Sequence, residues 1–139
     1  TYFLRSAPCF LKPAILERYD AIIRNALVKI LNNRLPDEAW NQATLPVSKG
    51  GLGLRPTSEV ALAGYLSSVN ATTGIVQSLL PINVRGQQCN YYESALQEWK
   101  LRSGSVDLPQ NPIFQSEWDK PLYEIRFDHL LQSATSEAE

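Results

Sequence analysis

The sequence predicts a mainly α-helical fold: a small helical bundle with a glycine-rich turn and an appended helical arm. Three observations lead there. Apolar residues recur at three- and four-residue spacing from Pro13 to Asn33, prolines punctuate the helical runs, and 139 residues at 44% hydrophobic content suffice for one core.

The Pro13–Asn33 run is the clearest element. Ile15, Leu16, Tyr19, Ile22, Ile23, Ala26, Leu27, Ile30 and Leu31 fall along one side of a helix. Pro13 suits its first turn, where a missing N–H is no loss, and "NNRLP" ends it before Pro36. The reading predicts that Ile15, Tyr19, Ile22, Ile23, Ala26, Leu27 and Ile30 are buried against the helix starting near Thr57. A short second helix follows from Pro36 to about Ala43, with Asp37 and Glu38 at its positive end, and Pro46 stops it.

The stretch "TLPVSKGGLGLRP", Thr44 to Pro56, holds three glycines, two prolines and two cations. Glycine clusters mark turns with unusual dihedrals or places of close backbone approach. Beyond it, "PTSEVALAGYLSSVNA" predicts a helix with Thr57 or Ser58 as N-cap and Glu59 in the first turn. Its small residues, Ala61, Ala63, Gly64, Ser67 and Ser68, suit close packing. A further helical run, Thr73 to Leu80, ends at Pro81.

The remainder is more polar. "PINVRGQQ" is a connector, and "CNYYESALQEWKLRSG" predicts a helix using Tyr92, Ala95, Leu96 and Trp99 and ending at Gly104. "SVDLPQNP" is a loop, and a last helix begins near Lys120, with Pro121 in its first turn and Asp119 as cap. These connectors divide the chain into a helical domain, 1–83, and a linker or arm, 84–139.

Composition narrows the functional classes. A net charge of −1 gives no bulk basic field, so any nucleic-acid contact must come from a local stripe. Cys9 and Cys89 lack metal-site spacing and allow at most one disulfide; reduced, mostly buried thiols in an intracellular protein are the expectation. No segment approaches the ~20 apolar residues that span a bilayer, and no basic-then-apolar leader opens the chain. The chain starts at Thr1 and contains no methionine, which suggests an internal piece of a longer protein.

Catalytic constellations are thin. "GLGLRP" supplies two glycines of a GxGxxG pattern, with Pro56 at the third, and no GxxxxGK[ST] occurs. His129 stands alone on a helix, and the scattered aspartates form no pair for two-metal chemistry. No catalytic or metal-ligating residue is assigned. Trp40, Trp99 and Trp118 sit within apolar periodicity and are expected in the core. The best polar arrangement is Arg18, Asn25, Lys29 and Asn32, at spacings of 7, 4 and 3 on the first long helix. Such a stripe can hold successive phosphates without reading bases, though a solvated helix face carries the same residue types.

The order of motifs adds a resemblance. "YFLRSAPCF" (Tyr2 to Phe10), the long amphipathic helix, "WNQATLPVSKGGLGLRPTSEVALAGYLSS" (Trp40 to Ser68) and "QSEWDKPLYEIRFDHLLQSA" (Gln115 to Ala134) together resemble the region just after the polymerase core in reverse transcriptases of non-LTR, LINE-like retrotransposons. The likeness covers nearly the whole chain and is strongest at Trp40 and "LPVSKGGLGLR".

That resemblance implies a polymerase thumb followed by a linker toward a C-terminal region. Its helices would grip RNA template and DNA primer and pack on the palm and fingers, in nucleus and cytoplasm. Combined with the polar stripe on the first long helix and the cation-flanked glycine turn, it puts nucleic-acid contact at Arg18, Asn25, Lys29, Lys49, Gly50, Gly51, Gly53 and Arg55. The [FY]xDD palm motif is absent here, so Mg²⁺ and catalysis would belong to the parent polymerase core; Cys89 and His129 do not replace the family's zinc knuckle. The reading from another class is a helical protein–protein interaction module without nucleic-acid binding.

Overall fold

A computed structural model describes residues 2–86 and 91–136. Among them the fold is mainly helical and contains no strand. Six α-helices follow in order: α1 (Tyr2–Ser6), α2 (Pro13–Leu31), α3 (Asp37–Ala43), α4 (Thr57–Leu79), α5 (Tyr92–Ser103) and α6 (Gln115–Ser136).

Helix α4 is the central post, with α1, α2, α5 and α6 all packed against it. Seven consecutive residues, Ala61 to Ser67, are buried, which a helix achieves only when neighbours surround it. The small side chains allow this. A Cβ added at Gly64 would stand 3.2 Å from Arg5 Cγ, so α1 crosses α4 where a side chain is missing.

The start of α4 is capped from a distance. Pro56 is its N-cap residue and offers no side-chain bond; instead the Thr57 amide donates to both Asp20 carboxylate oxygens of α2, at 2.9 and 3.1 Å. The Thr57 hydroxyl bonds Asp20 as well. A carboxylate thus meets the positive helix end, as capping requires, but it comes from 37 residues earlier rather than from Thr57 or Ser58.

Two expected helix boundaries move. The runs foreseen as separate on either side of Thr72 are one helix, within which Asn70, Thr72 and Thr73 turn their side chains back onto the carbonyls of Leu66, Ser68 and Val69 instead of breaking it. Helix α6 starts at Gln115 rather than near Lys120, and Pro121 lies inside it. Burial of Trp118 and Leu122 on either side of the proline holds the helix through it.

The core gathers Phe10 with Leu62, Ala63, Tyr65 and Leu66 of α4, Ala95 and Trp99 of α5, and Trp118 and Leu122 of α6. Trp99 and Trp118 meet edge to face at 4.9 Å between ring centroids, and the Trp99 indole N–H donates to the Trp118 carbonyl at 2.8 Å. The segment expected as an arm, 84–139, therefore contributes to the same cluster as the segment before it. Helix α5 ends as predicted, with Gly104 in the left-handed conformation.

Helix α2 corrects the packing expectation. Its limits agree with the prediction, but only Leu16 and Leu27 are buried, whereas Ile15 is 64%, Tyr19 55%, Ile22 63% and Ile30 79% exposed. Ala26 is exposed too, and Ile23 is half-buried. The nine apolar positions form two stripes, of which α4 covers one.

The Cys9 thiol is half-buried and donates to the Phe3 carbonyl at 3.6 Å. Its expected counterpart, Cys89, lies outside the described residues.

Candidate nucleic-acid interface

The glycine stretch folds into a tight loop between α3 and α4. A single 3-10 turn, Val47–Lys49, ends at Gly50 with φ of 77°, and Gly53 has φ of 73°. Both positions favour glycine because a Cβ would crowd the backbone there. Gly51 is required for a different reason: an added Cβ would stand 2.0 Å from the Leu45 carbonyl oxygen and 2.7 Å from that of Gln42. The close approach is to the chain's own backbone.

The loop's hydrogen bonding closes on itself. The amides of Lys49, Gly50, Gly51, Leu52, Gly53, Leu54 and Arg55 all donate to carbonyls between Ala43 and Gly53. A phosphate cradle needs such amides free and convergent. Here they are spent on the turn.

The two cations beside the glycines are also engaged. The Lys49 ammonium sits 4.5 Å from the centre of the Phe127 ring on α6. Arg55 pairs with Asp119 of α6, a buried carboxylate. Burial pushes the Asp119 carboxyl above its ordinary value of 3.8, and the attraction of Arg55 only partly opposes that. Nearby, Arg126 of α6 grips Glu59 of α4 with both terminal nitrogens, one at 3.0 Å. Lys49 and Arg55 thus fasten the loop to α6.

The stripe on α2 is different. Arg18, Asn25, Lys29 and Asn32 are all exposed, on the side of the helix opposite Leu16 and Leu27. Arg18, Asn25 and Lys29 have no side-chain hydrogen bond or ion pair among the described residues. Of the two carboxylates near Arg18 in sequence, Asp20 is turned inward onto Thr57, whereas Glu17, next to Arg18, is exposed. The eight residues assigned to nucleic-acid contact therefore fall into two groups. Three form an open, cationic helix face, and five build a loop whose polar groups are used within the fold.

Sequence reasoning missed Asp20, whose capping partner is remote in sequence, and Asp119, read as a helix cap and found in an ion pair. It also missed the uncovered apolar stripe of α2. A signal for that stripe existed: nine apolar positions in one helix are more than a single buried face needs.

No group of three or more His, Cys, Asp or Glu among the described residues can hold a metal ion. Among the described residues no helix is long and apolar enough to cross a membrane. No known protein family, curated protein or solved structure matches the chain.

Proposed function

We propose that this chain is a non-catalytic segment of an RNA-directed DNA polymerase, resembling the thumb and linker of non-LTR reverse transcriptases, that grips the template–primer duplex by its phosphates. The observation that carries the reading is the α2 outer face, where Arg18, Asn25 and Lys29 stand exposed and unpaired while Asp20 is withdrawn. Arg18 and Lys29 are eleven residues apart, about 16 Å along the helix, a distance that lets both reach phosphates of one duplex. Lys49, Arg55 and the three glycines act indirectly, by fixing the loop against α6. Template, primer and the palm and fingers of the polymerase are the partners in this reading, in nucleus and cytoplasm, with Mg²⁺ held by the polymerase core.

The test is binding of an RNA–DNA hybrid by the full chain, followed by fluorescence anisotropy across a salt series. Arg18→Gln/Lys29→Gln should weaken binding to hybrids of any sequence alike. It should also reduce the log–log salt slope by about 0.9 per lost contact, on the scale known for B-form duplexes. Lys49→Gln should leave both quantities near wild type. Unchanged affinity and slope in the double variant would return the stripe to ordinary solvated surface. The reading as a helical interaction module has its own supporting observation, the exposed Ile15–Tyr19–Ile22–Ile30 stripe.

A further inference from the structure

Round the helix from the cationic stripe, Ile15, Tyr19, Ile22, Ala26 and Ile30 follow one another at spacings of 4, 3, 4 and 4. They make one ridge about 22 Å long. All five are exposed. Isolated apolar side chains on a surface are ordinary, but a continuous ridge of large ones marks a face that meets a partner. At its N-terminal end the ridge opens onto a cavity of about 500 Å³, walled by Leu4, Leu16 and Val60 together with Ile15 and Tyr19.

The unpaired charges that border the ridge, Lys12, Arg18 and Lys29, have one sign. Lys12 lines the cavity unpaired, whereas the two other charges at its wall are already matched, Arg55 by Asp119 and Asp20 by the Thr57 amide and hydroxyl. Arg18 lies three residues after Ile15 and four before Ile22, and Lys29 three after Ala26, so both border the ridge. We infer that the ridge and cavity receive an amphipathic helix of a partner protein, with an aliphatic seam flanked by carboxylates. The 4–3–4 spacing is that of a seam into which a second helix packs its own side chains, and the ridge length matches about four helical turns.

A second copy of the chain fits less well. A second α2 would bring its own Lys12, Arg18 and Lys29 to the seam and no carboxylate on the flanks of the ridge to meet them, whereas an acidic helix neutralises all three at once.

The inference shares Arg18 and Lys29 with duplex binding but not the apolar ridge, so the two are separable: Tyr19→Ser/Ile22→Ser keeps every cation and should leave hybrid binding in place. Two labelled three-heptad peptides serve as probes, both with Leu at the seam positions, one flanked by Glu and one by Lys. The full chain should bind the Glu peptide at least about tenfold more tightly than the Lys peptide by anisotropy, and Tyr19→Ser/Ile22→Ser should weaken the Glu peptide by a similar factor with unchanged helicity. Lys12→Glu/Arg18→Glu should exchange the preference, a gain that a misfolded variant could not show. Equal binding of the two peptides, no binding of the Glu peptide, or full-strength binding by the serine variant would overturn it. So would a wild-type dimer in sedimentation velocity that the serine variant converts to monomer, which would assign the ridge to a second copy.

Discussion

Single residues in this chain differ sharply in what they can tolerate, even when they are the same amino acid. Gly51 is pressed against the backbone of Leu45 and Gln42, which cannot move aside like a flexible side chain. Gly51→Ala should therefore cost about 2 kcal/mol or more in urea unfolding. Gly74 lies within α4 with open space where its Cβ would be. Gly74→Ala should raise stability by about 0.5 to 1 kcal/mol, since alanine loses less backbone entropy in a helix. Equal effects at the two sites would contradict the loop geometry. The glycine cluster was legible as a turn, but which glycine meets backbone depends on how α3 enters the loop, and composition does not carry that.

Asp119 gives the same scale a pH dependence. Desolvation raises its carboxyl above 3.8 in the folded state, so there it holds its proton more tightly than in the unfolded chain. With more protons bound in the native state, this group's contribution to stability is largest below 3.8 and falls as pH rises through the raised value. Asp119→Asn removes that pH dependence. Denaturant unfolding over this window should show the variant gaining on wild type as pH increases, and a gap that narrows instead would reverse the sign.

At the scale of the element, periodicity located the helices well and their covered faces less well. The limits of α2, α3 and α5 follow from proline and glycine signals next to them, which are local. Which stripe of α2 is covered depends on the approach of α4, fixed by the Asp20–Thr57 contact between residues distant in sequence. The consequence is measurable. Leu27→Ala, at a buried site, should cost about 2 kcal/mol or more, whereas Ile22→Ala, on the exposed stripe of the same helix, should stay within about 0.5 kcal/mol. Similar losses at both would mean that α2 is covered on two sides. Pro121 misled in a related way: proline is a start signal in isolation, but the buried indole of Trp118 holds a turn before it in α6.

At the scale of the molecule, the contacts that cross residue 84 decide whether the first segment can stand alone. Leu62, Ala63, Tyr65 and Leu66 of α4 are buried together with Ala95, Trp99, Trp118 and Leu122. Three polar links, Glu59 to Arg126, Arg55 to Asp119 and Lys49 to Phe127, join the first segment to α6. Cutting the chain after residue 83 would bare the apolar face of α4 and leave Glu59, Lys49 and Arg55 without these partners. The apolar loss matters more, because each large side chain returned to water forfeits about 1.5 to 3 kcal/mol, against a total stability of about 5 to 15 kcal/mol for a domain. Residues 1–83 made alone should therefore show no cooperative thermal transition by circular dichroism. The full chain should melt once, with the same midpoint by helicity and by tryptophan fluorescence, since Trp99 and Trp118 sit in the shared core. A cooperative melt of the short fragment, or two separated midpoints in the full chain, would show that α4 holds its fold without α5 and α6 and that the division at residue 84 is a real domain boundary.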